Sequence, residues 1–199
     1  DHQESLRNLN DSIPWDAHVA HVGGFPVILK PNSGGGFKKV FKLHSMDQLW
    51  DAYNQTGTDA MILQEFIEWE KYVRCLVIGQ EQVLVMKFDV NEPYPHRYFD
   101  VPDYLTKEEH ERVVDAALKI VHAFGYDMNT CEFALKGGVP YAIDFTNPAP
   151  DMDYWSLKEK FFTWVVNAMA DMCIKKALAG RYQFADLNPA TLANPTVTR

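Results

Sequence analysis

The residues best suited to chemistry lie between Met128 and Asp153, where two short apolar runs flank Gly137-Gly138. Alternating runs on either side of two glycines are typical of a β-hairpin. Glu132 and Asp144 occupy positions that alternate with the apolar residues of these runs. We therefore expect two carboxylates on the polar face of one hairpin.

The apolar faces of the two runs predict the register of this hairpin. The predicted pairs are Phe133 with Ile143, Leu135 with Tyr141, and Glu132 with Asp144. This register needs a three-residue loop, Gly137 to Val139, because a two-residue Gly-Gly loop would put the carboxylates on opposite faces.

Directly opposed carboxylates lie about 5 Å apart at their Cβ atoms and destabilise a sheet unless something neutralises them. A divalent cation would do so, and Asn147 follows just after the second strand. Carboxylate and amide oxygens are hard ligands of the kind that Mg2+ takes alongside waters and phosphates. The alternative is a partly solvated hairpin with two incidental acids, and this stretch alone does not distinguish the two.

A second candidate site lies near the start of the chain. Lys30 ends the strand-like run FPVILKP, and three glycines, Gly34, Gly35 and Gly36, follow it. Consecutive glycines let backbone N–H groups approach an anion, and a lysine at the end of a strand supplies a point charge for phosphate. The pattern matches neither of the common nucleotide-binding loops, so a flexible hairpin turn remains an alternative.

Charged residues also accompany the three strand-like runs MILQEFI, YVRCLVIG and QVLVMKFDV. Arg74 and Lys87 project from the second and third runs. Glu65, with Glu68 or Glu70, borders the first connection. A cross-strand ion pair with a nearby glutamate is the alternative for Arg74, since such pairs are common and weak when exposed.

Three capping boxes predict helices: Ser45 with Gln48, Thr106 with Glu109, and Ser156 with Glu159. The first helix is expected over residues 46–54. The second is expected to run to about Phe124, where Gly125 ends it, and the third to about Ala179. The last has Phe162, Val165, Val166 and Met169 as its core stripe. Residues 91–104 hold three prolines and are expected to form an irregular loop.

Composition restricts the class of protein. The net charge of -8 disfavours a nucleic-acid partner. No apolar run reaches the roughly 20 residues of a membrane helix, and the first residues carry no apolar signal core, so we expect no membrane association and a cytoplasmic location. The three cysteines, Cys75, Cys131 and Cys173, are far apart and in apolar surroundings, which predicts buried thiols.

The order of these motifs over residues 25–170 resembles the ATP-grasp superfamily, especially carboxylate-amine ligases such as ribosomal-protein glutamate ligase and glutathione synthetase. The resemblance implies an α+β fold in which two subdomains with antiparallel sheets grip ATP. It also implies Mg2+ and an acyl phosphate that an amine attacks. The expected divisions are a lead-in segment (1–24), a first subdomain (25–70), a second subdomain with the metal-binding hairpin (71–182) and a polar tail (183–199).

The resemblance also implies roles for single residues. Lys30 and Gly34 to Gly36 would bind phosphates. The hinge residues Gln64, Glu65, Phe66 and Ile67 would read adenine through their backbone. Glu70, or less readily Glu68, would hold the ribose. Arg74 and Lys87 would be catalytic, facing the γ-phosphate and the acceptor. Glu132, Asp144 and Asn147 would bind Mg2+.

The chain departs from the family pattern in three places. One extra residue separates Asp144 from Asn147, and Asp151 replaces a glycine that is frequent in the family. The family's domain before the first strand is also expected to be absent, because only some 25 residues precede that strand.

The resemblance therefore implies an ATP-dependent ligase that joins a small-molecule or peptide carboxylate to an amine. The isolated chain is expected to bind nucleotide without completing ligation unless a missing domain or a second copy of the chain supplies one wall of the acceptor site. A non-catalytic nucleotide-binding module is the alternative. A glycosidase that uses Glu132 and Asp144 as its carboxylate pair is a third possibility, but it gives Lys30 and the glycines no role.

Overall fold

The computed structural model describes residues 13–34 and 38–179. These residues form two compact units, and the boundary between them falls between Glu68 and Trp69. Each unit contains its own antiparallel sheet, and each described core lies within one unit. The fold is α+β, as the sequence predicts.

The first unit is a three-stranded sheet with two helices. Its elements are α1 (Trp15–His21), β1 (Val27–Pro31), β2 (Phe41–Leu43), α2 (Met46–Tyr53) and β3 (Met61–Glu65). The strand order β2-β1-β3 puts β1 in the centre. Alternate residues of β1, Val27 and Leu29, are buried beneath the helices, so the neighbouring residues of β1 occupy the other face.

The helix α1 lies in the segment that we described as a polar lead-in. Its apolar residues Trp15 and Val19 recur at helical spacing, and Val19 is buried. The Trp15 ring packs edge-on against Tyr53 of α2, with 4.8 Å between the ring centroids. The two histidines of α1, His18 and His21, and the other polar residues around these positions obscured the helical pattern in the sequence.

The second unit is a five-stranded sheet with two long helices. Its elements are β4 (Lys71–Ile78), β5 (Gln82–Phe88), β6 (Tyr98–Phe99), α3 (Lys107–Phe124), β7 (Met128–Lys136), β8 (Val139–Asn147) and α4 (Tyr154–Leu178). The order β6-β5-β4-β7-β8 makes β4 central and β8 an edge strand. The two-residue strand β6 lies within the region expected to be an irregular loop.

One face of this sheet packs against α3. Its core includes Val73 and Cys75 of β4, Phe133 of β7, and Val113 and Ala117 of α3, all almost fully buried. The capping box of Thr106 and Glu109 forms as predicted, and Gly125 ends α3 in the left-handed conformation. The other face of β4, which carries Tyr72 and Arg74, belongs to the candidate site.

The helix α4 differs from its prediction at the start and along its buried stripe. Asp153, not Ser156, is the N-cap, because its carboxylate accepts a hydrogen bond from the Ser156 backbone. The buried positions include Leu157, Phe161 and Val165, whereas Val166 is 47% exposed. Gly180, the expected stop, lies outside the described residues.

No described helix combines the length and the apolar character needed to cross a bilayer. Two of the cysteines are buried as expected, and Cys75 lies directly opposite Cys131 on neighbouring strands. Burial raises the pKa of the Cys75 thiol, and it raises the pKa of Cys131 to about 11. Cys173 is exposed on α4, contrary to the prediction of a buried thiol.

Candidate active site in the second unit

The hairpin of β7 and β8 turns through two residues, not the three that we predicted. Lys136 pairs with Val139, which leaves Gly137 and Gly138 as the loop. Both glycines have positive φ, 58° and 72°, as a tight primed hairpin turn requires. The predicted pairs of Phe133 with Ile143 and of Leu135 with Tyr141 are therefore wrong; Phe133 pairs with Ala142 and Leu135 with Pro140.

Glu132 nevertheless pairs with Asp144, as predicted. A regular ladder from the Gly-Gly turn would have placed Ile143 opposite Glu132 and turned Asp144 to the other face. The register shifts by one residue between Phe133 and Glu132, so Ile143 is the extra residue of a β-bulge in β8. The bulge restores the opposition of the two carboxylates that the shorter turn would have removed.

A second irregularity in β8 accommodates the extra residue that separates Asp144 from Asn147. Thr130 pairs with Asn147, so one more residue of β8 than of β7 lies between this pair and the pair of Glu132 with Asp144. Asn129 supports the irregular backbone here, because its side-chain amide donates a 2.8 Å hydrogen bond to the Phe145 carbonyl. The longer spacing thus still leaves Asn147 next to Asp144 along this edge.

Three charged residues form a row across β4, β7 and β8. Arg74 pairs with Glu132, and Glu132 pairs with Asp144. Directly paired residues of an antiparallel sheet project from the same face. We call Arg74, Glu132 and Asp144 the charged row; it lies on the face of β4 opposite the α3 core.

Arg74 is the cation of the row and is buried, with 8% of its surface exposed. One terminal nitrogen, Nη2, lies 3.2 Å from Asp151 Oδ1 and donates to Thr130 Oγ1 at 3.3 Å. The other, Nη1, lies 3.8 Å from Glu132 Oε1. The guanidinium also lies over the rings of Phe88 and Tyr98, at 5.4 and 5.8 Å from their centroids. This environment fixes a positive charge beside two carboxylates.

Glu132 is 7% exposed, and its Oε2 accepts a 2.8 Å hydrogen bond from the Tyr72 hydroxyl. Burial raises the pKa of Glu132, opposed by the charge of Arg74 and the Tyr72 hydrogen bond. Burial also raises the pKa of Tyr72, so this hydroxyl stays a hydrogen-bond donor. A cation bound beside Glu132 would relieve the cost of burying its charge.

The donor set of this edge fits Mg2+. Glu132 and Asp144 offer carboxylate oxygens from opposed positions, and Asn147 offers an amide oxygen from the adjacent pair. Within residues 13–34 and 38–179, no cluster of three or more His, Cys, Asp or Glu side chains suits a metal. One or two carboxylates suffice for Mg2+, however, when phosphate oxygens and waters complete its octahedral shell.

Lys87 is not on the face that carries the charged row. It pairs with Val73, a residue of the core under α3, whereas Arg74 pairs with Met86. Its Nζ lies 5.2 Å from the centroid of the Phe99 ring and 5.4 Å from that of Tyr104. The structure therefore does not bring Lys87 together with Arg74, which the sequence-based prediction of a shared catalytic role required.

In the first unit, Lys30 and Gln64 share the face of the sheet opposite the buried Val27 and Leu29. Gln64 pairs with Ile28, which is two residues from Lys30 on β1. Lys42 also pairs with Ile28, and its Nζ lies 3.6 Å from the centroid of the Phe66 ring. The sequence analysis did not select Lys42, because one lysine among several in a polar segment carries no distinguishing signal.

The remaining predicted nucleotide contacts follow the strand β3. It is an edge strand, and its second edge pairs with no other described strand. The following residues, Phe66, Ile67 and Glu68, lie outside regular structure. Gly34 has a φ of 149°, and Gly35 and Gly36 lie outside the described residues.

Glu70 belongs to the second unit and is tied to the hairpin. Its backbone N–H donates to the Leu135 carbonyl at 2.9 Å, and its Oε1 accepts from the Gly137 N–H at 3.3 Å. The side chain is exposed, as is that of Glu68, and Glu65 is exposed at the end of β3. A carboxylate with one oxygen bound to an amide retains a second oxygen for another donor.

Sequence reasoning missed three residues that contact the charged row: Tyr72, Thr130 and Asp151. Tyr72 and Thr130 sit in strand runs where alternating apolar residues are expected. Asp151 did give a signal, because it replaces a glycine that is frequent in the family that the chain resembles. Its partner, Arg74, lies 77 positions earlier in the numbering, and sequence alone does not connect the two.

Comparison with known proteins agrees with this architecture. Residues 10–93 match the family model of the RimK-like ATP-grasp domain. The D-alanine–D-alanine ligase of Bacillus anthracis, solved in complex with ATP, superimposes with a TM-score of 0.65 at 20% identity, over 89% of this chain and 64% of that one. The chain has the ATP-grasp fold, and its residues 10–93 are similar to the RimK-like ATP-grasp domain.

Two curated relatives are similar in sequence. The D-alanine–D-alanine ligase of Polynucleobacter asymbioticus is 28% identical over 160 residues, which are 72% of this chain and 47% of that enzyme. The pyruvate carboxylase of Staphylococcus aureus is 25% identical over 150 residues, 68% of this chain and 13% of that enzyme. The chain thus spans less than half the length of either curated relative.

Proposed function

We propose that this chain binds ATP with Mg2+ and uses it to ligate a carboxylate to an amine through an acyl phosphate. The observation that carries the proposal is the charged row, which places a buried guanidinium beside two opposed carboxylates on one face of an ATP-grasp sheet. Support also comes from the relatives, which include D-alanine–D-alanine ligases.

The proposed reaction has two steps. A carboxylate oxygen of the acceptor attacks the γ-phosphorus of ATP, and ADP leaves. The amine then attacks the acyl carbon. The C–N bond forms, the bond between the acyl carbon and the phosphate oxygen breaks, and phosphate leaves. Phosphoryl transfer of this kind depends mainly on positioning and on charge stabilisation.

Named residues supply the positioning in this proposal. Lys30 and the Gly34 to Gly36 amides bind phosphates, the backbone of residues 64–67 binds adenine, and Glu70 binds the ribose. Glu132, Asp144 and Asn147 hold Mg2+, which when bound neutralises phosphate charge. Arg74 stabilises the transferring phosphoryl group or the acceptor carboxylate. Lys87 has no part here, because it lies on the opposite face of the sheet.

Thermal unfolding with nucleotide tests the binding step. ATP with Mg2+ should raise the melting temperature, since a ligand at 100 times its Kd stabilises a folded protein by about 2.7 kcal/mol. ATP with EDTA should give a smaller rise in melting temperature. The Lys30→Ala variant should show no rise with ATP and Mg2+. Lys38→Ala is the matched control, because it removes a nearby lysine of the same segment. An unchanged wild-type melting temperature at millimolar ATP and Mg2+ would refute the proposal.

Release of ADP distinguishes a ligase from a non-catalytic binding module. The purified chain should be assayed for ADP with paired panels of amino-acid and peptide carboxylates and amines. ADP that appears only when both substrates are present would support ligation. Nucleotide binding without ADP release for any pair would favour the binding module as the function of this chain.

A further inference from the structure

The contacts of Arg74 are unequal, although Arg74 and Glu132 are directly paired in the sheet. Its Nη2 lies within 3.3 Å of both Asp151 and Thr130, whereas its Nη1 lies 3.8 Å from Glu132 Oε1. A separation of 3.8 Å exceeds the range of a hydrogen bond. The closer oxygens thus draw the guanidinium toward Asp151 and Thr130, and away from a close pair with Glu132.

We propose that Asp151 is a positioning residue that keeps Arg74 from closing onto Glu132 and so leaves Glu132 Oε1 open to the divalent cation. This inference rests on the proposed function, since it assumes that the cation binds at Glu132 and Asp144. Glu132 Oε2 already accepts from Tyr72, so Oε1 is the oxygen whose availability depends on Arg74.

Two physical effects make the position of Arg74 matter. A guanidinium that closes onto a carboxylate forms strong paired hydrogen bonds at about 2.7–2.9 Å, and these would compete with a cation for the same oxygens. A guanidinium and a divalent cation on neighbouring positions also repel each other, strongly so in a partly buried site. The charge of Asp151 counters both effects, because it binds Arg74 and offsets its positive charge.

Asp151 lies in the segment between β8 and α4, and its side chain is 38% exposed. It therefore reaches Arg74 from beyond the end of the edge strand β8.

The experiment measures how much Mg2+ is needed for ATP to stabilise the chain. At fixed saturating ATP, we expect the Mg2+ concentration for half of the thermal shift to rise on the order of tenfold in Asp151→Asn, as is typical when a residue behind a metal ligand is changed. Asp115→Asn, which removes a carboxylate paired with Lys119 on α3, should match the wild type.

A double variant tests whether Asp151 acts through Arg74. In an Arg74→Gln background, Asp151→Asn should cause no further rise, because no guanidinium remains to hold. An undiminished rise there would overturn the inference and indicate that Asp151 acts on the cation directly. If Arg74→Gln does not fold, the Asp151→Glu variant tests the inference instead. It should keep a near wild-type Mg2+ requirement. A requirement as high as that of Asp151→Asn would overturn the inference.

The outcomes separate this inference from the proposed function. A wild-type chain that ATP and Mg2+ do not stabilise refutes the proposed function, and the inference with it. A wild-type chain that responds normally, while Asp151→Asn shows the same Mg2+ requirement, refutes the inference alone.

Discussion

At the scale of single residues, the burial of the Glu132 carboxylate lowers the stability of the folded chain. Glu132 is 7% exposed on a strand whose neighbours are largely apolar, and burial is the main cause of its raised pKa. The Arg74 guanidinium and the Tyr72 hydroxyl offset only part of that cost. A buried carboxylate kept under such conditions is typical of a functional site rather than of a structural ion pair.

Glu132→Gln should therefore stabilise the ligand-free chain near neutral pH. Because the folded-state pKa of Glu132 lies above its unfolded value, the charged form costs stability at pH values above the folded pKa. Below the unfolded pKa both states are protonated and the cost disappears. Urea unfolding at about pH 7 and about pH 4 should show a gain for Glu132→Gln at the higher pH only.

The same variant should lose the Mg2+ dependence of ATP binding. Glu111→Gln, which removes an exposed carboxylate on α3, should change neither quantity. If Glu132→Gln were less stable than the wild type at neutral pH, the attraction between Glu132 and Arg74 would have to exceed the cost of burial, and the pair would be a structural one.

At the scale of secondary-structure elements, the irregular strand β8 sets the geometry of the site. The Gly-Gly turn alone fixes a register in which Asp144 faces away from Glu132, and the bulge at Ile143 corrects it. A bulge disrupts the ladder of backbone hydrogen bonds, so its carbonyls need other donors. The second irregularity, between Asp144 and Asn147, needs such donors too, and the Asn129 side chain supplies one to the Phe145 carbonyl.

Asn129→Ala should loosen the irregular part of β8. Loss of a buried donor leaves the Phe145 carbonyl without this partner, which costs about 1–3 kcal/mol. We expect a lower melting temperature and faster amide exchange in residues 143–147. Asn91→Ala is the control, because Asn91 is exposed and its side chain bonds Asp89 in the same turn. Unchanged exchange in β8 would show that Asn129 does not support the irregular backbone between Asp144 and Asn147.

The start of α3 depends on Glu109, which is 9% exposed. Its Oε2 accepts from Lys71 Nζ at 2.6 Å and from the Thr106 N–H at 2.8 Å, and these bonds lower its pKa. A lowered folded-state pKa adds stability that is present above the unfolded pKa and is lost as the pH falls through the folded pKa.

Glu109→Gln should thus cost about 1 kcal/mol near neutral pH, as is usual for loss of a capping interaction. The difference from the wild type should vanish in acid, where Glu109 is protonated in both states. Chemical unfolding over a series of pH values measures this, with Glu108→Gln on the same first turn as the comparison. A cost that persists unchanged in acid would assign the effect to packing instead of charge.

At the scale of the whole molecule, each of the two units has a hydrophobic core of its own. Leu29 lies in the core of the first unit and Leu135 in that of the second, and both are 1% exposed. Each sheet is closed by its own helices, so each core can lose packing without a direct change in the other.

Leu29→Ala and Leu135→Ala should consequently weaken different parts of the chain. Each substitution should cost about 2–5 kcal/mol, as is usual when a buried leucine is truncated. Hydrogen exchange should accelerate mainly in β1 to β3 for Leu29→Ala and mainly in β4, β5 and β7 for Leu135→Ala. Equal acceleration in both units for either variant would mean that they unfold as one cooperative body.

The sequence by itself determined the types of most elements, though not of α1 and β6, together with the capped helix α3 and the opposition of Glu132 to Asp144. These follow from local rules, since caps and alternating patterns depend on residues a few positions apart. The predicted three-residue loop is wrong, and Glu132 pairs with Asp144 because the bulge at Ile143 compensates for the shorter turn. No pattern in the run VPYAIDF distinguishes a bulged strand from a regular one.

The tertiary structure alone decided which distant residues meet. The pairing of β4 with β7 placed Arg74 beside Glu132, and the return of the chain after β8 brought Asp151 to Arg74. The pairing of β4 with β5 turned Lys87 to the α3 face, contrary to the expectation from sequence. For the strand residues Arg74, Glu132 and Lys87, a shift of one residue in register would move the side chain to the other face of the sheet, and long-range strand pairing, rather than local sequence, sets that register.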